Sequence, residues 1–249
     1  MKKVIYTIAI ISIAFNLLGQ NNDNMIGLFK KENKEDNALR KKRSEKLLKS
    51  KGLKINYNLP LVESESETTI RTAKEIAERV TVLAVTNMVA FGGFTGEEAI
   101  DYLKKYNLFN KLTPKEREFL NNPTDKRKNE ESWKCECIWT LMWALKVVPE
   151  LDFPTETCDL NNIDIKNYPL VQGKDPNDYI NRFSETRTKS EILDAVDLYY
   201  RIDWACVDAR INNREMEIVH SGVVYERHYA LNWLVNYSDQ EWDDITCDT

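Results

Sequence analysis

Three predicted helices carry charged side chains on faces that otherwise look buried. In the helix predicted over 130–148, apolar residues cover nearly every side, and Glu136 lies along the same side as Trp143 and Val147. An unpaired carboxylate in such surroundings costs several kcal/mol when it is ionised. We therefore expect Glu136 to meet a cation or to stay protonated.

The helix predicted over 190–211 supplies partners for such a carboxylate. An arc of about 80° on this helix forms a polar stripe. Its members are Asp194, Asp197, Arg201, Trp204 and Asp208. Asp197 and Arg201 have the i, i+4 spacing of a helical salt bridge. A second polar spot, Asp203 and Arg210, lies nearly opposite, so the stripe either lines an interior cleft or faces water.

The helix predicted over 222–237 has one polar arc and one apolar arc. We interpret the polar arc as the more solvated face; it contains Tyr225, His228, Tyr229, Asn232 and Asn236. Glu226 and Arg227 fall inside the apolar arc instead. His228 is the obvious candidate for proton transfer near neutral pH, but its place at the edge of the polar arc favours surface exposure.

These patterns give seven candidate residues for a pocket or an ion-pair network. They are Glu136, Asp194, Asp197, Arg201, Asp208, Glu226 and Arg227. In one interpretation the charges form a structural network, and the protein binds a protein or a small molecule. In the alternative, the carboxylates act as acid and base in a hydrolysis while Arg201 or Arg227 holds an anionic group. Because the sequence has no nucleophile elbow, P-loop or zinc-protease helix, the binding interpretation is favoured.

The five cysteines are an odd number, so at least one thiol is free or paired between chains. Cys135 and Cys137 lie two positions apart in a helical pattern and point to nearly opposite sides, so a bridge between them is not expected. No second CxxC and no HxxxH completes a set of metal ligands. We expect small buried side chains with room for one disulfide, no metal and no cofactor.

Composition and charge limit the function classes. Of 249 residues, 42% are hydrophobic and 30% charged, as in a globular protein, while eight Gly and seven Pro are too few for a turn-rich β-sandwich. A net charge of −5 argues against nonspecific nucleic-acid binding by the whole surface. Residues 30–54 are locally basic, with eleven Lys/Arg against four Asp/Glu, and we interpret this segment as a solvated arm.

The first twenty residues have the pattern of a secretion signal. Lys2 and Lys3 precede an apolar run over 4–18, which is too short for an ordinary membrane-spanning helix. Gly19 suits a cleavage site but Leu17 does not, so an uncleaved anchor is the alternative. We expect an exported protein, periplasmic or extracellular, with no membrane span in the mature chain if the leader is cleaved.

Helical periodicity continues through almost the whole chain. A helix over 38–51 and an apolar pattern over 70–88 precede two capping boxes, which begin at Thr95 and Thr113. With the three helices above, the sequence predicts a mainly α, compact multi-helix domain of about six to seven helices. A long loop over 149–176 separates its two central helical parts. The predicted organisation is a signal peptide or N-terminal anchor (1–20), a basic segment with one short helix (21–60) and a single helical domain (61–249).

Several of these motifs occur together, in order, in a known family. They are the segments Trp133–Glu136, Leu141–Leu145, Glu191–Asp194, Asp197–Arg201, Glu226–His228, Leu231–Trp233 and Trp242–Asp244. Over about residues 38–249 the chain resembles the bacterial family called domain of unknown function 4272. The resemblance implies a compact helical domain, but no activity and no catalytic residue. Lys134 stands where that family would have Arg, so a bidentate contact with a carboxylate is not carried over to this position. Most members of the family look cytosolic, so the leader is a departure.

Overall fold

The structure, a computed structural model, describes residues 36–249. The predicted leader, residues 1–20, and the first part of the basic segment lie outside these residues. Within the described part of the chain, no helix combines the length and the apolar character needed to cross a membrane.

Residues 36–249 form helices joined by turns and loops, and they contain no strand. The α-helices are α1 (36–50), α2 (Ala73–Ala90), α3 (Gly96–Lys105), α4 (Pro114–Asn121), α5 (Asp125–Ser132), α6 (Cys135–Ala144), α7 (Pro176–Asn181), α8 (Lys189–Ile211) and α9 (Ser221–Leu234). The mainly α prediction is confirmed. The predicted number of helices, about six to seven, is approximate, since eight α-helices, α2 to α9, follow residue 60.

Capping boxes fix where four of the helices begin. The predicted boxes at Thr95 and Thr113 are confirmed, and Thr72 and Thr188 form two more at the starts of α2 and α8. In each box the threonine side chain accepts a hydrogen bond from the backbone of the Glu three residues later, and that Glu accepts one from the threonine backbone. Each cap stabilises its helix by about 1 kcal/mol.

The helix predicted over 130–148 is in fact two helices, α5 and α6. The side chain of Asn87, on α2, donates hydrogen bonds to the backbone oxygens of Glu131 and Ser132 at 3.1 and 3.3 Å. Those two carbonyls would otherwise accept the next helical bonds, so the backbone turns before α6 begins. At its other end α6 finishes at Ala144 because Lys146 adopts a φ of 63°.

The core gathers around α2, α6, α8 and α9. Helix α2 packs against α3, α4, α5, α6 and α7, while α9 packs against both α6 and α8. Leu48 of α1 and Leu53 after it are buried in the same core. The long loop runs between α6 and α7 and contains two short 3-10 helices, Leu160–Asn162 and Ile165–Asn167.

The prediction of a solvated face on α9 is wrong for His228, Tyr229 and Asn232, although Tyr225 is 44% exposed. His228, Asn232 and Tyr229 are 2%, 4% and 8% exposed. The reason is that the end of the chain folds back over this face: Asn232 donates a hydrogen bond to the backbone oxygen of Thr246 at 2.9 Å, and the Tyr229 ring meets the Trp242 ring edge-on. Polar side chains on this buried face of α9 each need a hydrogen-bond partner.

Candidate functional site

Glu136 meets a cation, as its surroundings require. Its Oε2 accepts a hydrogen bond from Arg227 Nε at 2.9 Å, and both side chains are almost wholly buried. Arg227 also donates to the backbone oxygen of Asp152 and to the hydroxyl of Tyr199, at 2.8 and 3.0 Å. One ion pair therefore ties α6, α8, α9 and the long loop together.

Glu226, the neighbour of Arg227, pairs with a different cation. Its Oε2 lies 2.8 Å from Lys134 Nζ. Lys134 is the position at which the resembling family would have Arg. The Cys137 thiol donates to the same carboxylate oxygen at 3.2 Å. Burial, and then the charge of Glu226, raise the pKa of the Cys137 thiol, which keeps it protonated as a donor.

Asp197 and Arg201 form the salt bridge that their spacing predicts. Arg201 donates from Nε and Nη2 to the two carboxylate oxygens of Asp197, at 3.0 and 2.6 Å. The pair is buried, and Arg201 also donates to the backbone oxygen of Pro60 at 3.1 Å. It holds the segment after α1 against α8.

The two ends of the polar stripe on α8 are partly exposed. Asp194 accepts hydrogen bonds from the buried Arg40 and from Arg43 of α1, at 2.9 and 2.6 Å. Asp208 pairs with Lys54 at 2.8 Å and with Arg214. The seven candidate residues thus belong to five separate ion-pair groups spread across the fold, and they do not converge on one pocket.

His228 is not on the surface, so that prediction is also wrong. Its Nδ1 lies 2.9 Å from Asp203 Oδ2, and both side chains are buried. Cys247 brings its sulfur within 4.8 Å of this pair. Burial of α9 by the end of the chain, described above, is what encloses the histidine.

A spacious cleft lies elsewhere, between α2, α3, the start of α6 and the long loop. It has a volume of about 1170 Å³. Six side chains with aromatic or large apolar groups supply much of its wall: Met88, Phe91, Phe94, Tyr102, Tyr106 and Tyr168. Tilted ring pairs join Phe94 to Tyr102 and Tyr102 to Tyr106, at centroid distances of 5.9 and 4.9 Å. None of the seven candidate residues lines this cleft.

Two lysines and two aspartates line the cleft. Lys105 and Lys174 line it, and neither forms an ion pair with a residue in the described range. Two carboxylates also line the cleft: Asp164 pairs with Lys166 at 2.8 Å, whereas Asp159 accepts hydrogen bonds from Asn161 and keeps its negative charge. An acidic ligand entering the cleft would therefore meet cations that are free to bind it.

Two cysteines line the cleft where the long loop meets α6. Cys135 is the first residue of α6, and Cys158 lies in the loop. The backbone N–H of Cys158 donates to Glu136 Oε1 at 2.6 Å, so the buried Glu136 holds the loop against the helix. Sequence reasoning considered only the Cys135–Cys137 spacing, because Cys158 gave no local signal.

Among residues 36–249, two groups of side chains could offer ligands to a metal ion: Cys135, Glu136 and Cys158, and Asp203, His228 and Cys247. In the first group both Glu136 oxygens are occupied, by Arg227 and by the Cys158 backbone. That leaves two thiols, short of the four ligands of a structural zinc site. The expectation of no metal and no cofactor stays a prediction.

Glu131 is a titratable residue that sequence reasoning missed. Burial, and then the negative charge of Glu116, raise the pKa of Glu131 to about 7. Its carboxylate forms no hydrogen bond or ion pair with any residue of the described chain, while Glu116 is itself paired with Arg79. The spacing of residues in the sequence does not predict the burial of Glu131, because that burial depends on the turn between α5 and α6.

The chain was compared with known families, curated proteins and solved structures. A family model described as domain of unknown function (DUF4272) matches residues 40–245. No curated protein and no solved structure matches. The matched range begins at the buried Arg40 of α1 and ends at the buried Ile245, so it spans the whole core.

Proposed function

Since this chain belongs to the DUF4272 family, whose description assigns no function, we propose a function from the aromatic cleft. The protein is a binding module for a small anionic molecule with an aromatic or aliphatic body. The observation that carries the proposal is the cleft itself, which encloses about 1170 Å³ and is lined by aromatic rings. A volume of this order exceeds what most small ligands need.

The charge of the cleft supports an acidic ligand. Aromatic rings stabilise flat or apolar groups by contact, while the unpaired ammonium groups of Lys105 and Lys174 favour a carboxylate, sulfonate or phosphate. Lys105 Nζ lies 4.8 Å from the ring centroid of Tyr106, which places this charge beside the apolar wall. One ligand could therefore contact a ring and an ammonium group together.

The positions of the buried carboxylates give less support to hydrolysis. A general acid or base must reach the substrate, yet Glu136, Asp197 and Glu226 are each held by a cation and lie outside the cleft wall. Such pairs fix the geometry of the fold. We assign them a structural role.

The proposal is tested with 8-anilinonaphthalene-1-sulfonate, a fluorescent probe with aromatic rings and one negative charge. We expect saturable binding to the folded protein, weakened about fivefold in Phe91→Ala because one aromatic contact contributes about 1 kcal/mol. Phe91 is 68% exposed at the cleft, so its removal should not unfold the protein. Binding is measured by fluorescence titration.

Ile211→Ala is the matched control, because Ile211 is 71% exposed and lies at the end of α8, outside the cleft. Its dissociation constant should equal that of the parent. Equal affinity in the parent, Phe91→Ala and Ile211→Ala, or no saturable binding at all, would place the probe elsewhere and overturn the proposal.

We also propose that the protein is exported, on the strength of the sequence pattern in residues 1–20. Cells producing the full chain should deliver it to the periplasm or the medium, whereas a chain lacking residues 2–20 should stay in the cytoplasm. Immunoblots of the separated fractions check this expectation. Recovery of both chains in the cytoplasm would contradict it.

A further inference from the structure

Cys135 and Cys158 bring two partly exposed thiols together at the cleft wall. Their sulfur atoms lie within 4.8 Å of one another, and the two residues are 23 positions apart in sequence (158 − 135). A disulfide bond needs the sulfurs about 2 Å apart. The sulfurs must therefore move closer together, by rotation of the cysteine side chains, before a bond can form.

We propose that Cys135 and Cys158 are a redox-active dithiol that exchanges with small acidic disulfides entering the cleft. The proposal rests on the proposed function, because the substrate must bind in the same cleft. It names the substrate class: a low-molecular-mass disulfide that carries carboxylates. Lys105 and Lys174 would bind the carboxylates, and the two thiols would meet the sulfur–sulfur bond.

The surroundings give the two thiols different roles. The hydrogen bond from the Cys158 thiol lowers the pKa of Cys135, and the backbone N–H of Glu136 at the helix start acts in the same direction. Burial opposes this effect, and so do the charges of Glu136 and Glu226, each of which is paired with a cation. The same hydrogen bond raises the pKa of Cys158. Cys135 is therefore the attacking thiolate, and Cys158 is the resolving thiol, which attacks the mixed disulfide in the second step.

The exchange balances in two steps. The Cys135 thiolate attacks one sulfur of the substrate R–S–S–R, forms a mixed disulfide and expels one thiolate, RS⁻, which takes the proton of Cys158. The Cys158 thiolate then attacks the Cys135 sulfur, closes the protein disulfide and expels the second RS⁻, which takes the proton that Cys135 had released to solvent. Two protein thiols are oxidised and one substrate disulfide is reduced to two thiols.

The resolving step becomes easier once the first has occurred. In the mixed disulfide Cys135 no longer holds a negative charge, so its hydrogen bond and its charge no longer raise the pKa of Cys158, although burial and Glu136 still do. Cys137, which is buried and donates to Glu226, is not placed to compete. The geometry thus favours an intramolecular bridge over a lasting adduct.

The test uses 5,5′-dithiobis(2-nitrobenzoate), an aromatic disulfide with two carboxylates, on the reduced full-length protein. The parent should rapidly release two equivalents of nitrothiobenzoate and end as a Cys135–Cys158 disulfide with no adduct on either residue. Cys158→Ser should release one equivalent and keep the adduct on Cys135. In Cys135→Ser the rapid release should slow about tenfold or more, because Cys135 is the activated thiolate. Absorbance follows the release, and peptide mass spectrometry locates the bonds.

Cys247→Ser is the control, since Cys247 is the other partly exposed cysteine in the described chain and lies outside the cleft. It should leave the rapid release unchanged. A lasting adduct on Cys135 in the parent, or release from Cys135 no faster than from Cys247, would overturn the dithiol. If the dithiol is overturned while the sulfonate probe still binds and Phe91→Ala still weakens that binding, the proposed binding function of the cleft remains supported without the dithiol. Rapid exchange without probe binding would instead remove the cleft function and keep the dithiol chemistry.

Discussion

Glu136→Gln should lower the free energy of unfolding by about 3–5 kcal/mol, because it leaves the buried Arg227 without its counter-charge. The guanidinium would keep the Asp152 oxygen and the Tyr199 hydroxyl as neutral partners. Neither replaces a carboxylate at 2.9 Å in a site where both side chains are almost wholly buried. Urea unfolding followed by circular dichroism measures the change.

The matched control is Glu130→Gln on α5. Glu130 is 60% exposed and lies 3.8 Å from an exposed lysine, Lys126, so its loss should change stability by less than about 0.5 kcal/mol. If Glu136→Gln unfolds at the same urea concentration as the parent, or a higher one, the Glu136–Arg227 pair is strained rather than stabilising. A strained pair would favour a catalytic role for Glu136 over the structural one.

Glu131→Gln should have the opposite effect and raise stability at alkaline pH. Burial raises the pKa of Glu131 from 4.5 to about 7, so the folded protein resists ionisation that the unfolded chain accepts. Stability from the protonated form is complete below pH 4.5 and is lost as the pH rises through 7. We expect the Gln variant to exceed the parent by about 3 kcal/mol at pH 8 and to approach it near pH 4.5.

Unfolding curves of the two proteins at several pH values check this prediction. Glu130→Gln again serves as the control, since it removes a neighbouring carboxylate that is 60% exposed. A stability difference for Glu131→Gln that is flat from pH 4.5 to pH 8 would show that Glu131 titrates normally. The carboxylate would then be solvated in the folded state.

Local patterns predicted the helices and their starting points well. The boxes at Thr95 and Thr113 depend on residues three positions apart, so the sequence contains all the interacting groups. The Asp197–Arg201 pair follows from the i, i+4 spacing for the same reason. The need of Glu136 for a cation could also be predicted, because it follows from an apolar helix around one carboxylate.

The errors arose where a distant segment decides the outcome. The burial of this face of α9 could not be predicted, because residues 242–249 cover it and the pattern of the helix contains no sign of that contact. The break between α5 and α6 depends on Asn87, more than forty positions earlier in the chain. Which cation Glu136 meets was equally open, since the pairing with Arg227 spans 91 positions.

The cleft and its pair of thiols also could not be predicted from local sequence patterns. Tyr102, Tyr106 and Tyr168 come from one helix end and one loop, and only the folded chain places them together. Cys158 follows a proline-rich stretch with no regular structure to fix its direction. The contact with Cys135 depends on the hydrogen bond from its backbone to the buried Glu136.

We propose that the cleft binds a small anionic ligand and that the buried charges hold the fold. The most direct measurement is the dissociation constant of 8-anilinonaphthalene-1-sulfonate for Phe91→Ala and for Asp197→Asn, at a temperature where both variants are folded. Asp197 lies on α8, and none of the residues of α8 lines the cleft. We predict about fivefold weaker binding in Phe91→Ala, from one lost aromatic contact, and unchanged binding in Asp197→Asn. Loss of binding in Asp197→Asn with full binding in Phe91→Ala would contradict this account.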